Sequence, residues 1–139
     1  MTETRQMNDK VFIDTNIVIY ALTDASQKGT IALDLLKTKP CISTQVVAES
    51  INVCLRKFKF SKADTYDRAD KLILITELLV IQQSTLTKAF KISTSYQFSF
   101  WDSLIVACAL ENNCSVLYSE DLQRNQIIDD RLKVKNPFI

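Results

Sequence analysis

Histidine is absent from the 139 residues, and glycine occurs once, at Gly29. The first absence excludes imidazole acid–base catalysis and every His-containing metal site. The second excludes the phosphate-binding P-loop and the Gly-x-Gly-x-x-Gly dinucleotide turn, both of which need several glycines. The four cysteines, Cys41, Cys54, Cys108 and Cys114, form no Cys-x-x-Cys pair, and each lies in or beside an apolar run. They read as buried, reduced thiols of a cytoplasmic protein rather than as metal ligands or disulfide partners. No apolar run approaches the ~20 residues needed to cross a bilayer. The longest, Leu72 to Ile81, is interrupted by Thr76 and Glu77, so no membrane partner is expected. Neither sign of charge is in excess: 17 Lys and Arg face 16 Asp and Glu, for a net charge of +1. A protein held to nucleic acid by bulk charge would be far more basic, although a local patch or a bound metal can supply positive charge where it is needed.

Hydrophobic residues make up 47% of the chain and charged ones 24%, enough apolar material for a core. The length fits one domain, 1–139, with the polar residues 1–9 read as a loose tail rather than a leader. Val11-Phe12-Ile13 reads as a buried strand, and Asp14, Thr15 and Asn16 are candidate caps for the helix that follows. A second helix is expected from Ser26 to Lys37, with Ile31, Leu35 and Leu36 inward. Pro40 to Ser43 is a second strand, and Thr44 caps a helix Gln45 to Phe58. Ser61 opens another helix, with Ala69, Leu72, Ile73 and Thr76 inward. Leu79-Val80-Ile81 is a third strand, and Ser84 caps a helix to about Ser95. Ser99 caps the helix Phe100 to Asn112, and Ser115 to Tyr118 is a fourth strand. Residues 119–126 read as a loop or short helix, and Leu132 to Val134 as a fifth strand. Strands that are continuous apolar runs, alternating with helices, indicate a three-layer α/β/α sandwich around a parallel sheet of four to five strands.

In such a sheet, sites lie beyond the carboxyl ends of the strands. Asp14 directly follows the first strand, and Asp121 lies three residues past Tyr118. Glu49 sits in the first turns of the helix after strand two, and Asp102 in the first turn of the helix leading to strand four. Each acid has an ordinary explanation. Asp14 can cap a helix, Asp102 and Asp121 can favour helix dipoles, and Glu49 can be solvated. Their neighbours weaken these explanations. Glu49 shares a helix face with Val46 and Val53, and Asp102 with Ile105, Val106 and Ala109. Asp14 lies between two apolar triplets. Carboxylates on core-facing stripes are costly to bury without a compensating cation, and four of them at one sheet edge cannot all stay ionised alone. An oxygen-only donor set suits Mg²⁺ or Mn²⁺, and such ions serve phosphoryl chemistry. By contrast, Asp64, Asp67 and Asp70 alternate with Lys62, Arg68 and Lys71 and read as a solvated face.

Four segments carry a resemblance: 11–16 (Val-Phe-Ile-Asp-Thr-Asn), 43–49 (Ser-Thr-Gln-Val-Val-Ala-Glu), 99–107 (Ser-Phe-Trp-Asp-Ser-Leu-Ile-Val-Ala) and 117–122 (Leu-Tyr-Ser-Glu-Asp-Leu). In this order, and with the closing segment 134–138, the chain resembles the PIN-domain ribonucleases, and among them the toxins of VapBC-type bacterial toxin–antitoxin pairs. The resemblance implies acidic metal ligands at Asp14, Glu49, Asp102 and Asp121. It implies hydroxyl and amide groups supporting them at Thr15, Asn16 and Ser119, with Glu120 as an auxiliary ligand. It also implies RNA as substrate, a five-stranded parallel sheet, a homodimer, and inhibition by a small antitoxin that covers the active-site groove.

Residues 56–62 (Arg-Lys-Phe-Lys-Phe-Ser-Lys) are the densest positive stretch. Lys57 and Lys59 could hold RNA phosphates while an aromatic ring stacks on a base. The plainer reading, and the favoured one, is that the cations favour a helix C-terminus, with both Phe packed inside. Two other readings compete. A phosphatase using Asp14 as nucleophile would want a second Asp where Asn16 stands, and a Lys after strand four. A catalytically silent RNA- or protein-binding module would have no need for all four acids.

Overall fold

The computed structural model describes residues 9–139; the expected loose tail, apart from Asp9, lies outside the described residues. Val11–Ile13 forms β1, entirely buried, and Asp14 caps the helix α1, Thr15–Thr23, by accepting from the Thr15 N–H. The helix α2, Gln27–Leu36, follows after a corner so tight that a Cβ on Gly29 would lie 1.7 Å from the Asp24 carbonyl oxygen. This close approach is what requires the chain's lone glycine. Then come β2, Cys41–Ser43, α3, Thr44–Arg56, α4, Lys62–Ile75, and β3, Glu77–Leu79. The chain continues with α5, Gln83–Tyr96, α6, Phe100–Glu111, β4, Val116–Tyr118, β5, Ile127–Ile128, and β6, Leu132–Lys135.

The sheet runs β3-β2-β1-β4-β6-β5, parallel throughout except for β5. The first two crossovers step from β1 outward to β2 and β3; the next returns past β1 to β4. With right-handed crossovers this reversal sets α1–α4 on one face and α5–α6 on the other. The core sits on both faces of β1, where Phe12, Ile13, Ile17, Ile42, Leu117 and Val134 are fully enclosed. Residues Ser103 to Leu110 of α6 are all buried, so this helix is apolar on every side.

Several expectations need correction. Among the described residues the sheet has six strands, because Ile127–Ile128 adds a short antiparallel edge, too brief a pair to read as a strand along the sequence. The third strand is Glu77–Leu79, two residues earlier than the apolar triplet 79–81. Pairing decides this: Cys41, Ile42 and Ser43 align with Glu77, Leu78 and Leu79. The edge position lets Glu77 face solvent, while the Ile81 N–H donates to Thr44 Oγ1 instead of to a strand. The cap of α3 is Ser43, whose hydroxyl accepts from the Val46 N–H, rather than Thr44, and the cap of α5 is Gln82 rather than Ser84. The helix α3 ends at Arg56, short of Phe58. On α2 the buried face is Gly29, Ala32 and Leu36, and Ile73 of α4 is exposed.

Candidate metal centre

The strand order reverses between β1 and β4, and it is there that the acids gather. In an open parallel sheet this is where neighbouring loops part and leave a crevice. Asp14 lies at its floor, 5% exposed. Its backbone N–H continues the ladder to the Tyr118 carbonyl at 3.0 Å. One carboxylate oxygen accepts from the Thr15 N–H at 2.7 Å, the other from the Ser119 hydroxyl at 2.8 Å. Burial pushes its pKa up to about 6; the two hydrogen bonds oppose this, while the negative charges of Asp102 and Asp121 reinforce it.

Asp102 enters from the first turn of α6, where its N–H donates to the Ser99 hydroxyl at 3.1 Å. Its carboxyl is also raised, by burial first and then by Asp121. Asp121 is exposed on the loop after β4. Ser119 shapes that loop: fully buried, its oxygen accepts from the N–H groups of Asp121 and Leu122 while its proton goes to Asp14. One hydroxyl thus binds the floor of the crevice to its rim.

Glu49 is tied to this group through a neighbour. Thr15 Oγ1 donates to it at 2.7 Å, and Gln45 Nε2 lies 3.4 Å away while also donating to the Trp101 carbonyl. Asn16 accepts from the Glu120 N–H, and its own side-chain nitrogen is buried without a partner among the described residues. Asp14, Asp102 and Asp121 therefore act on one another directly, and Glu49 adjoins them. No three acids stand close enough to hold an ion among the described residues with the side chains as they are. Asp121 is exposed and Asp102 half-buried, so both have room to turn.

Glu120, the auxiliary candidate, has both carboxylate oxygens engaged. Its two oxygens are taken by the Tyr20 hydroxyl at 2.7 Å and Lys28 Nζ at 2.6 Å. Lys28 in turn lies about 5 Å from the rings of Tyr20 and Phe138. Tyr20 and Lys28 had no local signal in the sequence, since the Lys28–Glu120 pair spans 92 positions.

Two recesses flank the acids. One, of about 510 Å³, is lined by Asn16, Tyr20, Val53, Lys57, Phe58 and Asp121, among others. The other, of about 590 Å³, lies between Gln45, Glu49, Asn52 and the exposed Trp101. Lys57 thus reaches the site, whereas Lys59 does not line either recess. Lys59 instead occupies the left-handed region, φ 58°, in the turn that ends α3. Phe58 is on the surface rather than in the core.

The donor set suits a hard divalent cation. All the candidate ligands are carboxylates, and the charges acting on the buried Asp14 are both negative. Lys28 is spent on Glu120.

A family model described as the PIN domain matches residues 11–127. No curated protein is similar to the chain. Solved structures share the fold. A VapC20 toxin of Mycobacterium tuberculosis, described as cleaving the sarcin–ricin loop, superposes with a TM-score of 0.67 at 17% identity, over 81% of this chain and 90% of its own. A toxin–antitoxin complex of Klebsiella pneumoniae gives 0.69 at 20% identity, over 92% and 98%. DNA-bound VapBC of Salmonella typhimurium gives 0.70 at 17% identity, over 93% and 98%.

Proposed function

The chain belongs to the PIN-domain family, and from that premise we propose that it is an Mg²⁺- or Mn²⁺-dependent endoribonuclease, the toxin of a VapBC-type toxin–antitoxin pair. The observation that carries the reading is the buried Asp14, faced by Asp102 and Asp121 at the point where the strand order reverses. An ion held there would neutralise the phosphodiester and lower the pKa of a bound water.

Asp14 is the deepest ligand, its two oxygens oriented by Thr15 and Ser119. Asp102 and Asp121 are the ligands on the open side. Glu49, held by Thr15 and Gln45, faces the recess beside Trp101 and completes the acidic set. Thr15, Asn16 and Ser119 position these acids. Lys57 at the cleft contributes to RNA affinity; Lys59 contributes through the shape of the turn it closes.

One PIN domain accounts for residues 1–139. The antitoxin partner is supported by similar folds found in toxin–antitoxin complexes; the cytoplasmic homodimer is proposed from the family resemblance. Among the described residues no helix is long and apolar enough to cross a membrane.

The test is cleavage of a labelled RNA panel. Cleavage should require Mg²⁺ or Mn²⁺ and vanish in EDTA and in Asp14→Asn. Activity surviving either change would overturn the metal mechanism. Lys57→Ala should reduce the salt dependence of RNA binding by about one phosphate contact.

A further inference from the structure

We infer that the recess between α1 and the end of α3 is a subsite for one nucleobase of the RNA strand, with Phe58 as its stacking surface. This rests on the nuclease reading above. The recess opens beside Asp121 and encloses about 510 Å³, within the range of ligand pockets. Its apolar lining runs from Ile19 and Tyr20 on α1 to Val53 and Phe58 at the end of α3. Polar groups line it as well: Asn16 and Asp121 at the end nearest Asp14, Glu120 beside Tyr20, Thr23 and Asp24 at the end of α1, and Lys57 next to Phe58. A recess with an aromatic ring on one wall, a lysine at its rim and Asp121 at one end suits a nucleotide, whose base stacks and whose phosphate is charged.

Three details make the slot a formed one. The end of α3 is closed by a bond from the Phe60 N–H to the Cys54 carbonyl at 3.0 Å, with Lys59 in the left-handed region. Together with the Phe58 N–H bond to the Val53 carbonyl at 3.3 Å, that closure sets where Phe58 stands. Phe58 contacts Phe60 at a centroid distance of 5.9 Å yet remains 37% exposed, which leaves ring surface facing the recess. Lys57 Nζ lies 5.6 Å from the same ring, so a cation for the adjoining phosphate stands at the rim. On the opposite wall, Lys28 neutralises Glu120 and Tyr20 is held by its hydroxyl bond to Glu120, which leaves Asp24, at the far end of α1, as the remaining acid of that wall.

Binding of a fluorescein-labelled pentaribonucleotide, read by anisotropy in Ca²⁺ to avoid turnover, tests the assignment. Each base is replaced in turn by an abasic ribose. One abasic position should weaken wild-type binding about tenfold, the usual effect of losing a stacked base. Phe58→Ala should weaken the intact strand to a similar extent and erase the abasic penalty. Phe58→Leu, which keeps apolar packing, should behave like Phe58→Ala, whereas Phe58→Tyr should retain both affinity and penalty. Melting curves identify any variant that fails to fold. The subsite is overturned if no abasic position matters, if the penalty persists in Phe58→Leu, or if Phe58 variants lose only the binding of a protein partner. Absence of Mg²⁺-dependent cleavage by the wild type would instead refute the nuclease reading, which the binding measurement does not use.

Discussion

Replacing Asp14 by Asn should make the metal-free protein more stable at pH 7 while abolishing cleavage. Burial, reinforced by Asp102 and Asp121, holds the Asp14 carboxyl at about 6 against an ordinary 3.8. The folded state therefore binds this proton more tightly than the unfolded chain. The cost of keeping it ionised is full above pH 6, is relieved as pH falls from 6 towards 3.8, and does not change further below that. A displacement of about two pKa units corresponds to about 3 kcal/mol. Acids of the opposite kind act in a lower window. Hydrogen bonds from Ser26 hold Asp24 below its usual 3.8, and those from Lys28 and Tyr20 hold Glu120 below 4.5, so their stabilisation fades only as pH drops past those values. Metal-free wild type should consequently melt higher at pH 5 than at pH 7. Asn removes the charge but offers one acceptor oxygen where Thr15 and Ser119 both donate, a loss of about 1 kcal/mol. The net gain at pH 7 is about 2 kcal/mol, or a melting temperature higher by roughly 6 °C for a chain of this length. Thermal melts in EDTA at pH 7 and pH 5, on both proteins, decide the matter. A wild-type melting temperature that only falls from pH 7 to pH 5, or an equal rise in Asp14→Asn, would refute the reasoning.

Saturating Mn²⁺ should erase the wild-type rise on acidification and stabilise at pH 7, by about 2.7 kcal/mol at a hundred times the Kd; calorimetry with and without EDTA checks this. Ser119→Ala removes a donor to Asp14 and orphans the Asp121 and Leu122 N–H groups, so it should cost about 2 kcal/mol in denaturant melts and raise the acid limb of the pH–rate profile. Gly29→Ala forces a Cβ against the Asp24 carbonyl and should cost about 3 kcal/mol, measured by urea unfolding. Gln97, at the end of α5 with φ 61°, occupies a conformation that suits glycine, so Gln97→Gly should stabilise by about 1 kcal/mol in the same assay.

What the sequence determined by itself is whatever depends on near neighbours. The apolar runs at 11–13 and 116–118 are strands because a fully buried parallel strand tolerates no polar alternation. Ser99 and Ser61 cap helices through their own third-following N–H groups. Asp14, Glu49, Asp102 and Asp121 were legible as one candidate set because each follows a strand or opens a helix at the same sheet edge. Contacts between distant segments decided the rest. Strand β3 takes its register from β2 rather than from its most apolar triplet, and β5 exists only because β6 pairs with it. Glu120 could pass for a ligand until Lys28, 92 positions away, claimed it. Asp14 joined Asp102 and Asp121 directly, whereas Glu49 met them through Thr15, because α3 sets its carboxylate beside a hydroxyl. Local hydrogen bonding and hydrophobic period act over a few residues and can be read along the chain. Which charges share a crevice, and how far burial raises their pKa, follows from the packing of elements that the chain brings together only on folding.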